Sequence, residues 1–174
     1  KENPIAAEIA QRVATKSRDR SDQIVKEIEW FSWLGGLWLN NKNQIAIPSD
    51  AIEKCIIEGA RKTKNGKMVE SGVNANGWSL LEFKDAGKTL EEIYALGEYV
   101  DNRLVKSNPA AKTSGKVMRT RPIFNSWSFS CVLLYDDRIV PNQDSLMRWV
   151  EIAGIQVGIG DYRPKFGRFE AIVV

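Results

Sequence analysis

Apolar residues recur at helical spacing in four stretches of the chain and alternate with polar ones in others, and this contrast carries most of the fold reading. Ile5, Ile9 and Val13, with alanines between them, predict an amphipathic helix over residues 4–17, with Asn3 as cap and Pro4 in its first turn. A charged stretch over residues 16–20 follows. Ile24, Ile28 and Phe31 predict a second helix from Ser21 or Asp22 to Leu34, stopped by Gly35-Gly36. A third opens at Pro48-Ser49-Asp50. It is expected to bury Ile52, Cys55, Ile56, Gly59 and Ala60 and to leave Lys54, Arg61 and Lys62 to water. A fourth, over residues 143–153, turns Leu146, Trp149, Val150 and Ala153 inward, with Gly154 near its end.

Strand signals are shorter. Residues 37–39 and 45–47, separated by Asn40-Asn41-Lys42-Asn43, predict a hairpin. Two strands are expected between Met68 and Phe83, the second over residues 78–83, then a short helix over 90–96 and a strand over 100–107. Residues 108–115, rich in Ala, Ser, Pro and Gly, predict an exposed loop. Residues 117–121 predict a strand that Pro122 ends or edges. Trp127, Phe129, Cys131, Leu133 and Tyr135 alternate with Ser126, Ser128 and Ser130, which predicts a strand with one apolar face before a turn at Asp136-Asp137. Residues 169–174 predict a last strand buried within a sheet. Strand, strand, helix, loop and strand over residues 116–174 make half of a ferredoxin-like sandwich. The expected class is α+β: a ferredoxin-like or RNA-recognition-motif-like sandwich with additional N-terminal helices over residues 1–35 and a hairpin insertion. At 174 residues, a single domain over 1–174 is expected.

Composition narrows the chemistry. With 43% hydrophobic and 27% charged residues the chain has the balance of a globular protein. No apolar run approaches the roughly 20 residues that span a bilayer, so no membrane partner is expected and the cytoplasm is the expected location. Lys1-Glu2-Asn3-Pro4 lack the zones of a secretory signal, so nothing points to export, and no Met begins the chain, which leaves a strand upstream an open alternative. The chain has no histidine, which excludes Cys/His zinc sites, Ser-His-Asp triads and Cys-His pairs in their usual forms. Cys55 and Cys131 are expected to be buried free thiols. Asp136, Asp137 and Asp144 read as turn formers in preference to a metal site. No catalytic residue, metal or cofactor is expected; the alternative is a histidine-free nuclease working through Tyr162 with Lys165 or Arg163.

A net charge of +3 is mild, so the placement of the cations matters more than their number. In the segment over residues 158–169, Gly158, Gly160 and Gly167 permit positive φ and close approach to the backbone, while Arg163, Lys165 and Arg168 supply charge. Tyr162 and Phe166 alternate with those cations. Single-stranded nucleic acid is held by this combination of phosphate contacts and base stacking. The competing reading is a tight connection in which Arg163 bonds a carboxylate of its own chain, such as Asp161 or Glu170. Arg119 and Arg121 flank Thr120 and would project from one sheet face, either toward a ligand or toward carboxylates of a subunit. The basic run over residues 61–67 reads as a solvated turn or a phosphate contact. Trp30, Trp33 and Trp38 read as core at an element junction or as a stacking platform. The expected nucleic-acid-binding set is Arg119, Arg121, Gly158, Gly160, Tyr162, Arg163, Lys165, Phe166 and Arg168.

Several of these segments resemble a family of uncharacterised bacteriophage and prophage proteins. The likeness is carried by Val117-Met118-Arg119-Thr120-Arg121-Pro122-Ile123-Phe124, by Trp127-Ser128-Phe129, by Glu151-Ile152-Ala153-Gly154, and by Gly158-Ile159-Gly160-Asp161-Tyr162-Arg163-Pro164-Lys165-Phe166-Gly167-Arg168-Phe169-Glu170. Gly36-Leu37-Trp38-Leu39 and Ile47-Pro48-Ser49-Asp50-Ala51-Ile52 are similar as well. A wider similarity is to the RAMP superfamily, the RNA-recognition-motif-like proteins that include backbone subunits of CRISPR effectors. That resemblance rests on a small-residue loop opening a helix and a glycine-rich loop before the last strand. It implies binding of single-stranded RNA or DNA in the host cytoplasm. The alternative it leaves open is a protein-interaction role, as a homo-oligomeric phage assembly subunit or an inhibitor mimicking a host CRISPR complex subunit.

Overall fold

Helix α1 spans Pro4–Val13 and α2 spans Asp22–Leu34. Ser21 caps α2 by accepting the Ile24 N–H at 3.3 Å, and the Gly35 N–H closes its last turn on Phe31 O at 2.9 Å. The computed structural model describes residues 4–13, 21–107, 110, 112–113 and 115–174. The expected extension of α1, the charged stretch before α2 and part of the 108–115 loop lie outside the described residues. The chain clusters into two compact units, residues 1–38 with 82–128 and residues 39–81 with 129–174.

In the first unit α1 and α2 pack together, with the Arg12 guanidinium 4.6 Å over Phe31 and its Nε donating to Glu27 at 2.7 Å. Helix α5 spans Leu90–Ala95 and starts in a reciprocal cap between Thr89 and Glu92. Trp33 is fully buried and donates its Nε1–H to Tyr99 O at 2.9 Å. Trp30 stacks on it at 5.5 Å, and Tyr94 meets both rings edge-on. Trp33 is therefore core, with Trp30 half-buried against it, which is the use large aromatics at a helix end most often have. Trp38 is exposed. Strands β4 (Val100–Lys106) and β5 (Lys116–Pro122) pair antiparallel along their whole length, and α2 lies against β5. A Cβ on Gly36 would overlap the Pro122 ring, so glycine lets the end of α2 seat there.

The second unit holds β1 (Ala46–Pro48), α3 (Ser49–Arg61), α4 (Gly66–Gly72), β2 (Val73–Ala75), β3 (Trp78–Leu80), β6 (Leu133–Tyr135) and α6 (Gln143–Ile152). Helix α3 buries Ile52, Cys55, Ile56, Gly59 and Ala60, the stripe its spacing predicts. At Gly59 the backbone of α3 comes so close that an added Cβ would stand 2.7 Å from that of Ala153. The basic run ends α3: Lys64 takes a positive φ of 64°, the Asn65 N–H returns to Ala60 O at 2.9 Å, and the Lys64 N–H returns to Arg61 O at 3.1 Å. This is the crossed pair of bonds of a helix terminus, with lysine in the place glycine usually holds. Asp136 closes another turn by accepting from the Arg138 backbone and side chain, and that guanidinium holds its carboxyl down at about 2.

The class is α+β, and among the described residues the strands form three two-stranded antiparallel pairs, β1–β3, β2–β6 and β4–β5, in place of the expected single sandwich sheet. The two strands expected between Met68 and Phe83 are β2 and β3, shortened because residues 68–72 join α4, where Gly66, Val69 and Gly72 are buried at a helical spacing. Three expected elements take other forms. The hairpin over residues 37–47 shrinks to a single bridge between Leu39 and Ile45, since β1 takes β3 as its partner. Trp127 and Phe129 alternate with exposed serines as expected, yet only residues 133–135 form a ladder; Ser128 makes an isolated bridge with Glu82, and Cys131 is exposed. Residues 169–174 form no ladder among the described residues. Phe169 and Ala171 pack on the core, while Ile172 is 82% exposed. Alternation reports which side chains face the core; it does not supply a neighbouring strand.

Candidate nucleic-acid interface

The C-terminal loop begins where α6 changes period. Asn142 caps α6 by accepting the Ser145 N–H at 2.8 Å, and Leu146, Trp149 and Val150 bury its inner face. The chain then widens into a π-helical turn over Ala153–Val157. Gly158, at φ 77°, reverses it; the Gly158 N–H donates to Ala153 O at 2.8 Å, and the Cys55 thiol lies 3.2 Å from Gly158 O. Burial pushes that thiol up to about 11, so it stays a neutral anchor under the loop.

Ile159 is buried and its N–H donates to Gly167 O at 2.8 Å, forming the neck of the loop. Gly167 has φ 74°, and a Cβ there would overlap Ile159 O. At Gly158 an added Cβ would stand 2.9 Å from Gly167 O. Gly160, at φ 102°, has open space around it. Two glycines thus permit the neck to close, and the third serves a backbone conformation alone.

Above the neck, the Phe166 N–H donates to Tyr162 O at 3.0 Å and the two rings stack with centroids 5.7 Å apart and planes 27° from parallel. Tyr162 is 56% and Phe166 38% exposed. Lys165 Nζ lies 5.8 Å from the Tyr162 centroid and 5.9 Å from that of Phe166. The other cations of the loop are engaged, one with α3 and one with the loop's own backbone. Arg163 reaches Glu58 of α3 at 3.3 Å, and Arg168 Nε donates to Pro164 O at 2.8 Å. Arg163 thus takes the structural part that the sequence reading left open, with Glu58 as partner instead of Asp161 or Glu170. Nothing in the spacing marks Glu58.

Gly158, Gly160, Tyr162, Arg163, Lys165, Phe166 and Arg168 all belong to one unit, whereas Arg119 and Arg121 belong to the other. Both arginines are exposed, and the β4–β5 register sets Arg119 opposite Arg103 and Arg121 opposite Asp101. Arg103 lies outside the set of candidate residues, although between residues 100 and 122 the chain carries six Lys or Arg against a single acid, Asp101. A count of charge by segment would have shown it. No described helix is long and apolar enough to cross a membrane. No family model matches the chain, and no curated protein or solved structure matches it significantly.

Proposed function

We propose that this chain binds single-stranded RNA or DNA through the loop over residues 158–169. The observation that carries the reading is the stacked pair Tyr162 and Phe166, held outward above a glycine neck with Lys165 beside both rings. Large rings usually bury their area, and a pair pre-stacked with 56% and 38% of its residues' surface exposed offers ring area to a base at little ordering cost. Base stacking of this kind tolerates any sequence, and Lys165 and Arg168 add attraction to the phosphates. Arg163 supports the loop by tying it to α3. The role is binding, without a catalytic step, and its place is the cytoplasm where such strands are met.

Affinity for a labelled single-stranded oligonucleotide across a salt series tests the reading. The logarithm of affinity should fall linearly with the logarithm of salt concentration. Absence of binding at low salt, or a flat slope, rejects it. A second reading, an assembly subunit, is favoured by exposed Val132, Leu134, Ile155 and Ile172 in the same unit. Mass photometry decides that one, because a strict monomer at all concentrations rules it out.

A further inference from the structure

Strands β4 and β5 pair over seven rungs, from Val100↔Pro122 to Lys106↔Lys116. Side-chain alternation places Asp101, Arg103, Val105, Val117, Arg119 and Arg121 on one face. The opposite face carries Asn102, Leu104 and Lys106 beside Lys116, Met118 and Thr120. Its inner end is shielded: Thr120 is buried and donates its hydroxyl to Asn102 Oδ1 at 2.6 Å.

Two of the seven rungs set like charges directly opposite each other, Arg103↔Arg119 and Lys106↔Lys116. Such pairs destabilise a ribbon. Asp101, the one acid between residues 100 and 122, forms an ion pair with Arg103 on its own strand. Arg119, Lys106 and Lys116 are exposed, as is Lys112 in the connection. The ribbon alone carries more positive charge than the chain's net +3, so the remainder of the protein is acidic in balance. Lys106 and Lys116 face each other at an exposed place, and an anion arriving between them, or against exposed Arg119, relieves the repulsion.

We propose that the β4–β5 ribbon is a binding surface for the phosphate backbone of double-stranded nucleic acid. The proposal goes beyond the loop and does not depend on it. No aromatic residue occurs between residues 100 and 122, so the ribbon lacks the stacking platform that holds single strands. A two-stranded ribbon is a shape the major groove of a duplex admits, and a groove roughly 12 Å wide presents a phosphate wall to each face of the insert. Arg103, Arg119 and Arg121 serve one wall, and Lys106 with Lys116 the other. Their contacts position the protein without reading base identity.

The test compares a mixed-sequence duplex oligonucleotide with its single strand for the wild type and for the Arg119→Gln Lys116→Gln variant, with thermal unfolding as a check of the fold. The proposal expects wild-type duplex binding at low salt. It expects the variant to lower the ratio of duplex to single-strand affinity about tenfold and to reduce the duplex salt slope by roughly 0.9 for each phosphate no longer neutralised. If that variant does not fold, Lys106→Gln at the exposed end of the ribbon takes its place, and the slope should then fall by about 0.9. No duplex binding by the wild type overturns the proposal, as does an unchanged ratio and slope in the variant. So does equal affinity for poly-glutamate or for vesicles containing phosphatidylserine, which would make the surface a general anion binder. Failure of the loop reading would look different: single-strand affinity would be missing while duplex binding persisted.

Discussion

The C-terminal loop and the β4–β5 ribbon both concentrate cations, and they use them in opposite ways. In the loop Arg163 is tied to Glu58 and Arg168 to Pro164 O, leaving Lys165 above a pair of exposed rings. In the ribbon Arg103 faces Arg119 and Lys106 faces Lys116, with Asp101 as the one acid. One segment converts charge into shape and offers aromatic faces. The other sets like charges opposite each other around a single acid and offers no ring at all. Glycines and arginines side by side in a sequence therefore do not distinguish a scaffold from a contact surface; the partners do.

The largest effect should come from closing the neck wrongly. Gly167→Ala forces a Cβ into Ile159 O at a positive φ, and a loss on the order of 3 kcal/mol is expected in urea unfolding. Gly160→Ala meets open space and should cost only about 1 kcal/mol, from backbone strain alone. Equal costs would mean that the neck does not hold the loop.

Beneath the neck, the Cys55 thiol is raised from 9.0 to about 11 by burial. The native state then holds a proton that the unfolded state releases, so stability is intact below pH 9 and should fall as pH rises toward 11. Cys55→Ser should flatten that part of the pH profile. A thiol reagent should label exposed Cys131 in the native protein and Cys55 only after unfolding.

The smallest effects sharpen the comparison most, because their signs differ. Arg163→Gln breaks a partly exposed ion pair and should destabilise by up to about 1 kcal/mol. Arg119→Gln relieves a repulsive rung and should be neutral or stabilising by about 0.2–1 kcal/mol. Chemical denaturation of both variants checks this, and a destabilising Arg119→Gln would show that the ribbon needs its charge to fold.

Helices were the legible part of the sequence. The α3 stripe and the inner face of α6 follow from spacing alone, because a helix satisfies its own hydrogen bonds and needs only one buried side. Strands depend on a partner that spacing does not name. Residues 127–132 show the expected alternation in part, and residues 169–174 were expected as a buried apolar strand, yet neither forms a ladder among the described residues. The loop's place and its exposed rings were readable from Gly158, Gly167, Tyr162 and Phe166. The Glu58 tie was not, since it joins residues 105 apart in the chain. The Arg103↔Arg119 rung needed the register of β4 on β5, which no single residue announces.

Binding of single strands depends above all on the two rings of the loop. Titrating the Tyr162→Ala Phe166→Ala variant with the same single-stranded oligonucleotide and salt series used for the wild type tests it. The account predicts a loss of about 1–3 kcal/mol per stacked base with the salt slope kept, because Lys165 and Arg168 remain. Unchanged affinity in a folded double variant would contradict it.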